Sequence, residues 1–163
     1  MAIQRRAQEA VDNRDRVREG GHHWEETVDV ESEPLAWEAL VASLVHELPQ
    51  PVKQETALDG AMVFVGGDPG EVVVRLTDDV LTVSEFAVEW PGPHTPVTRP
   101  IELGRLHWSW LPSVETMRVL LALIEAARHS RRGKYRQCRV CEQMKAPEAI
   151  TDEDVCQTCA EGQ

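Results

Sequence analysis

The chain has 163 residues, 42% hydrophobic and 5% aromatic, with 17 basic against 28 acidic side chains and a formal net charge of −11. A chain of that length buries about two-thirds of its unfolded surface, enough for one core and a small appendage, and the composition is neither disordered nor fibrous. No apolar run reaches the ~18 residues of a membrane span, so no membrane partner is expected, and the opening MAIQRRAQEA lacks the apolar stretch of a secretory signal.

The first stretch, residues 1–33, reads as an N-terminal helix followed by an acidic linker. Ile3, Ala7, Ala10, Val11 and Val17 make a weak stripe that Gly20-Gly21 would end, and HHWEETVDVESE follows with acids and no Lys or Arg. Residues 34–48 predict a firm helix. Pro34 suits a first turn, Ser32 stands near as a cap, and Trp37, Leu40, Val41, Leu44, Val45 and Leu48 recur at spacings of three and four. Pro49 and Pro51 then stop it.

Strands are expected next. AMVFV (61–65) and EVVVRL (71–76) flank the turn GGDPG, and Thr77-Asp78-Asp79 leads into VLTVSEFAVEW. That run changes phase, with Leu81 and Val83 on one face and Phe86, Val88 and Trp90 on the other, which requires a bulge or bend near Ser84-Glu85. The run 101–110 shifts likewise, with Gly104 at the switch, and the four-proline loop WPGPHTPVTRP between the two is expected to be exposed. Residues 113–130 predict a second helix, with Ser113 as its cap and Val114, Met117, Leu120, Leu121, Ile124 and Ala127 on its apolar face. The fold class expected is α+β: a helix, a four-stranded antiparallel meander and a helix over residues 34–130, with a metal-binding appendage at 131–163.

All four cysteines fall in that appendage: Cys138 and Cys141, then Cys156 and Cys159. Two C-x2-C pairs are the ligand pattern of a tetrahedral metal, most often zinc. A piece this short cannot build a core of its own, and a bound ion supplies the missing energy. Four thiolates leave no open coordination position, so one structural zinc is expected rather than a catalytic one. A reducing, cytoplasmic setting suits free thiols.

The stretch YRQCRVCEQMKAPEAITDEDVCQTCAE, about residues 134–161, resembles a short zinc-ribbon or treble-clef zinc finger with one cysteine pair in each knuckle. The resemblance implies a zinc-organised module used for nucleic-acid contacts, protein contacts or structural bracing. Glu142 and Ala160 stand where zinc knuckles commonly carry glycine, and only four residues follow Cys159, where a treble clef continues into a helix. No histidine follows His129, so nuclease activity is not implied.

Charge carries the rest of the functional reading. Arg128, Arg131, Arg132, Lys134, Arg136 and Arg139 give residues 128–139 a charge of +6, leaving −17 on the remainder of the chain. Such a stretch beside a zinc finger is one way to grip phosphates. It also complements the end of a helix and offsets the −2 of a four-thiolate zinc site. The zinc module itself is acidic, with Arg139 and Lys145 against Glu142, Glu148, Asp152, Glu153, Asp154 and Glu161. Trp90, Trp108 and Trp110 are expected in the core rather than on a stacking platform.

No phosphate loop, H-E-x-x-H or G-x-S-x-G pattern occurs, the six histidines show no partner spacing, and no small-molecule substrate is evident. The expectation is therefore a non-enzymatic recognition or adaptor protein with a protein partner. The alternatives are a nucleic-acid binder using Arg131, Arg132, Lys134, Arg136 and Arg139, and a redox switch that releases zinc when its thiolates are oxidised.

Overall fold

A computed structural model describes residues 33–162, and the N-terminal helix and linker expected before residue 33 lie outside the described residues. Helix α1 (Trp37–Glu47) leads into five strands of one antiparallel sheet: β1 (Val52–Thr56), β2 (Met62–Gly66), β3 (Val72–Leu76), β4 (Leu81–Glu85) and β7 (Ile101–Leu106), in that spatial order. Between β4 and β7 the chain makes a separate two-stranded hairpin, β5 (Val88–Glu89) with β6 (Val97–Thr98). A single 3-10 turn, Trp108–Trp110, precedes helix α2 (Ser113–Gly133). The chain ends in a second small hairpin, β8 (Arg136–Gln137) with β9 (Met144–Lys145), a 3-10 turn at Pro147–Ala149, and helix α3 (Gln157–Glu161).

The antiparallel register aligns the core. Phe64, Val74 and Val83 are opposite one another across β2, β3 and β4, and so are Met62, Leu76 and Leu81, with Leu106 beyond Leu81 on β7. The helices cover this face with Leu40, Leu44 and Leu48 on one side and Leu120, Ile124 and Ala127 on the other, and these residues form one apolar cluster. Trp108 joins it, tilted against Trp37 at 6.0 Å, with its indole N–H donating to the Thr77 carbonyl at 3.0 Å. The core expectation for the tryptophans therefore holds for Trp108 alone, since Trp90 and Trp110 are exposed.

The meander carries one strand more than the pattern suggested. VKQET of β1 has a single apolar residue and is exposed along almost its whole length, because it is an edge strand held only by its ladder to β2. The expected phase shift is real and sits between Val83 and Ser84. There Val83 faces Gly104 and Ser84 faces Glu102, so Leu103 is the extra residue of a bulge on β7. Gly104 fits that position because a Cβ there would meet Leu123 of α2 at 2.8 Å. The expected strands 80–90 and 101–110 are each cut short, the first into β4 and β5 and the second by the turn after Leu106.

Helix α1 starts at Trp37, three residues past Pro34. Pro112 rather than Ser113 holds the cap position of α2, whose first N–H, that of Ser113, donates to the Glu33 carbonyl at 2.8 Å. No helix among the described residues is long and apolar enough to cross a membrane.

Candidate metal centre

The end of α2 delivers the chain directly into the cysteine region. β8 and β9 pair Arg136 with Lys145 and Gln137 with Met144, so Cys138 and Cys141 occupy the turn that connects them. Within that turn the Cys138 N–H donates to the Gln143 carbonyl at 2.9 Å and the Glu142 N–H donates to the Cys138 carbonyl at 2.8 Å. Closing it requires one residue in the left-handed region, and Glu142 takes it at φ 58°. Glu142 thus adopts the backbone conformation that favours glycine, which is how the turn forms without one.

The second pair is set by a tight loop and a helix start. Ile150 bridges Cys156, the Thr151 N–H donates to the Val155 carbonyl at 2.9 Å, and Asp154 turns the chain at φ 57°. Cys156 then caps α3 and Cys159 lies in its first turn, with the Ala160 N–H donating to the Cys156 carbonyl at 2.9 Å. The short helix therefore does begin at the second cysteine pair.

The four sulfurs all lie within 4.8 Å of one another and form a donor set that could hold a metal ion. The Cys141 and Cys156 sulfurs are 3.9 Å apart. That is close to the ~3.8 Å edge of a tetrahedron with metal–sulfur bonds of ~2.3 Å, and far beyond a disulfide's ~2.05 Å. All four cysteines are free thiols, Cys138 and Cys156 buried and Cys141 exposed.

The backbone already favours thiolate here. N–H groups of Cys141, Cys156 and Val140 lower the Cys138 pKa to about 6, and the Cys156 donor lies 3.3 Å from the Cys138 sulfur. Cys159 is pushed up to about 12, because the surrounding sulfurs of Cys156, Cys141 and Cys138 and its burial disfavour a further negative charge. A divalent cation is the kind of group that removes this conflict, since it lets all four sulfurs carry charge together.

The basic stretch proves to be a set of internal clamps. Arg131 is only 2% exposed. Its Nε donates to the Gly70 carbonyl at 3.0 Å, its Nη2 pairs with Glu148 of the cysteine region, and its guanidinium lies over the rings of Phe86 at 5.3 Å and Tyr135 at 5.6 Å. Arg132 and Arg128 both hold Glu71, at 3.0 and 3.1 Å. Lys134 reaches the buried Glu85 at 2.7 Å, and Ser130 donates to the other oxygen of that carboxylate at 2.6 Å. Arg136 braces the second knuckle through Asp154 at 2.9 Å and the Thr151 carbonyl at 3.1 Å. Arg139 lies 3.7 Å from Glu153.

The expected contact residues are thus in one region, but each has an acid beside it, and Arg131 is withdrawn from solvent altogether. The reason is its phase on α2: Thr116, Leu120, Ile124, Ala127 and Arg131 are the buried residues of one helix face. That series was visible in the sequence and could have placed Arg131 inside. The sequence reading missed Glu71, Glu85, Glu148 and Phe86, which lie 17 to 61 residues away from their basic partners. No local pattern announces such pairs. Comparison with known protein families, curated proteins and solved structures finds no match to this chain.

Proposed function

We propose that Cys138, Cys141, Cys156 and Cys159 hold one structural Zn²⁺, in a minimal module of treble-clef type, and that the chain is a non-enzymatic recognition protein whose partner is another protein. The donor set supports zinc, since four sulfurs within 4.8 Å of one another suit that ion and leave no site for a substrate. A hairpin turn bearing the first pair and a helix start bearing the second support the treble-clef reading over a ribbon.

The observation that carries the partner reading is the neutralisation of residues 128–139. Phosphate binding draws its energy from releasing counterions with free cations. Here Arg128, Arg131, Arg132, Lys134, Arg136 and Arg139 each face a carboxylate of the same chain. A nucleic acid would have to displace those acids on a chain of net charge −11. A protein partner needs no such rearrangement. A cavity of about 460 Å³ on the sheet, lined by Val63, Val65, Val73 and Phe86 with Lys53, Glu55 and Asp68 among them, offers it a mixed apolar and charged surface.

The test is a fluorescence-anisotropy titration of the zinc-loaded protein against labelled duplex and single-stranded nucleic acid at low and physiological salt. No saturable binding at either salt is expected. Saturable binding that weakens steeply with salt and is lost in Arg132→Ala would transfer the assignment to nucleic acid.

A further inference from the structure

We infer that the solvent face of α2 is self-complementary, and that two copies of the chain pair through it, antiparallel, about a twofold axis midway between Leu121 and Ala122. The helix buries one face against the sheet and leaves the opposite face without a partner among the described residues. That free face carries apolar groups among its charges. Val114 is 51% exposed, Leu121 is 41% exposed, and Trp110, just before the helix, is 73% exposed and stacked on His107 at 4.4 Å. Exposed aliphatic residues on the helix, with an exposed tryptophan just before it, are the composition of a contact surface.

The occupant follows from the order of charges along the helix. A twofold axis at Leu121/Ala122 sets Arg118 opposite Glu125 of the partner subunit, and by symmetry Glu125 opposite the partner's Arg118. Both side chains are largely exposed, Arg118 69% and Glu125 76%, and their contacts on their own helix, Arg118 with Glu115 and Glu125 with Arg128 at 4.0 Å, are surface pairs of little worth. Arg118 already touches Glu115 through one amino group, and a guanidinium has five donors to share.

The same axis sets each large apolar group against a small or flat one. Leu121 meets Ala122 and Val114 meets His129. A slip of one turn in either direction places Arg118 opposite Leu121 or His129 and loses both ion pairs. A parallel arrangement sets Arg118 against its own copy. Against these alternatives the charges favour the antiparallel register centred between Leu121 and Ala122.

The expected affinity is modest. A helix of 21 residues is about 31 Å long, and two such helices at ~8–10 Å spacing bury roughly 1,000 Å² in total, the lower end of specific interfaces.

The test is sedimentation equilibrium of the full zinc-loaded chain over a concentration series, with three variants. The wild type should move from monomer to dimer. Arg118→Glu and Glu125→Arg should each weaken the dimer about tenfold, because two symmetry-related pairs turn from attraction to repulsion. The double variant should restore it, since the swapped charges attract again, and circular dichroism on each variant checks that the helix is intact. A monomer mass up to ~1 mM, where even a contact worth ~4 kcal/mol assembles, would overturn the inference. So would a dimer that the single reversals leave unchanged or that the double variant fails to restore.

Discussion

Arg131 is the point at which the sheet, α2 and the cysteine region meet, so its removal should cost far more than the loss of an arginine from a helix end. In Arg131→Ala the Gly70 carbonyl loses its donor, worth about 1 kcal/mol. Glu148, only 20% exposed and with its other oxygen buried and without a hydrogen bond, is left as an uncompensated carboxylate, which costs about 1–3 kcal/mol. Contacts to the Phe86 and Tyr135 rings go as well, at about 0.5–1 kcal/mol each. These contributions share atoms and do not simply add, and the ~3–5 kcal/mol found for breaking buried ion pairs is the right scale. Urea unfolding followed by circular dichroism measures the loss, with Arg132→Ala as the control. Arg132 is 57% exposed, and its change should stay within about 1 kcal/mol. Replacing both partners, Arg131→Met with Glu148→Leu, should recover most of the loss, because no buried charge is then stranded. If Arg131→Ala costs no more than Arg132→Ala, the clamp described here does not exist.

Other consequences are independent of that clamp. A Cβ on residue 70 would lie 2.7 Å from the Phe86 ring, so Gly70→Ala should destabilise by about 1–3 kcal/mol. Gly104→Ala meets only the tip of Leu123 and should cost less; thermal unfolding of the two variants compares them. Glu142 is in the left-handed region, so Glu142→Gly should leave stability within about 1 kcal/mol of wild type or raise it, whereas Glu142→Val should lower it by about 1–2 kcal/mol. Burial raises the Glu71 pKa, but bonds from Arg132 and Arg128 outweigh it and hold the carboxyl below its ordinary value of 4.5. Its stabilising contribution is therefore complete above that ordinary value and is lost as pH falls through the lowered one. Stability measured against pH should show a shallower acid limb in Glu71→Gln than in the wild type.

Sequence periodicity located the two long helices because each has a continuous apolar face: Leu40 and Leu44 in α1 with Leu48 at its end, and Leu120, Ile124 and Ala127 in α2. It located the inner strands for the same reason, and even the bulge, because Gly104 marks the place where the alternation breaks. It failed at β1, where ladder hydrogen bonds rather than side-chain burial define the strand. It also failed at the turn Trp108–Trp110, where tryptophans two apart imitate a strand. The metal-ligand candidates were legible because spacing in C-x2-C motifs is a local property. The role of the basic stretch was not, since charge along the sequence gives no sign of which acids the fold brings to it. Glu71, just before β3, and Glu85, at the end of β4, lie more than forty residues away along the chain.

We propose that a metal ion organises residues 136–162 while the sheet and its two helices stand on a core of their own, and hydrogen exchange read by mass spectrometry, with and without a strong zinc chelator, is the test. Chelation should strip protection from peptides covering Cys138–Cys141 and Cys156–Cys159 and leave β2, β3 and β4 protected. Exchange in those cysteine peptides that is the same with and without chelator would contradict it.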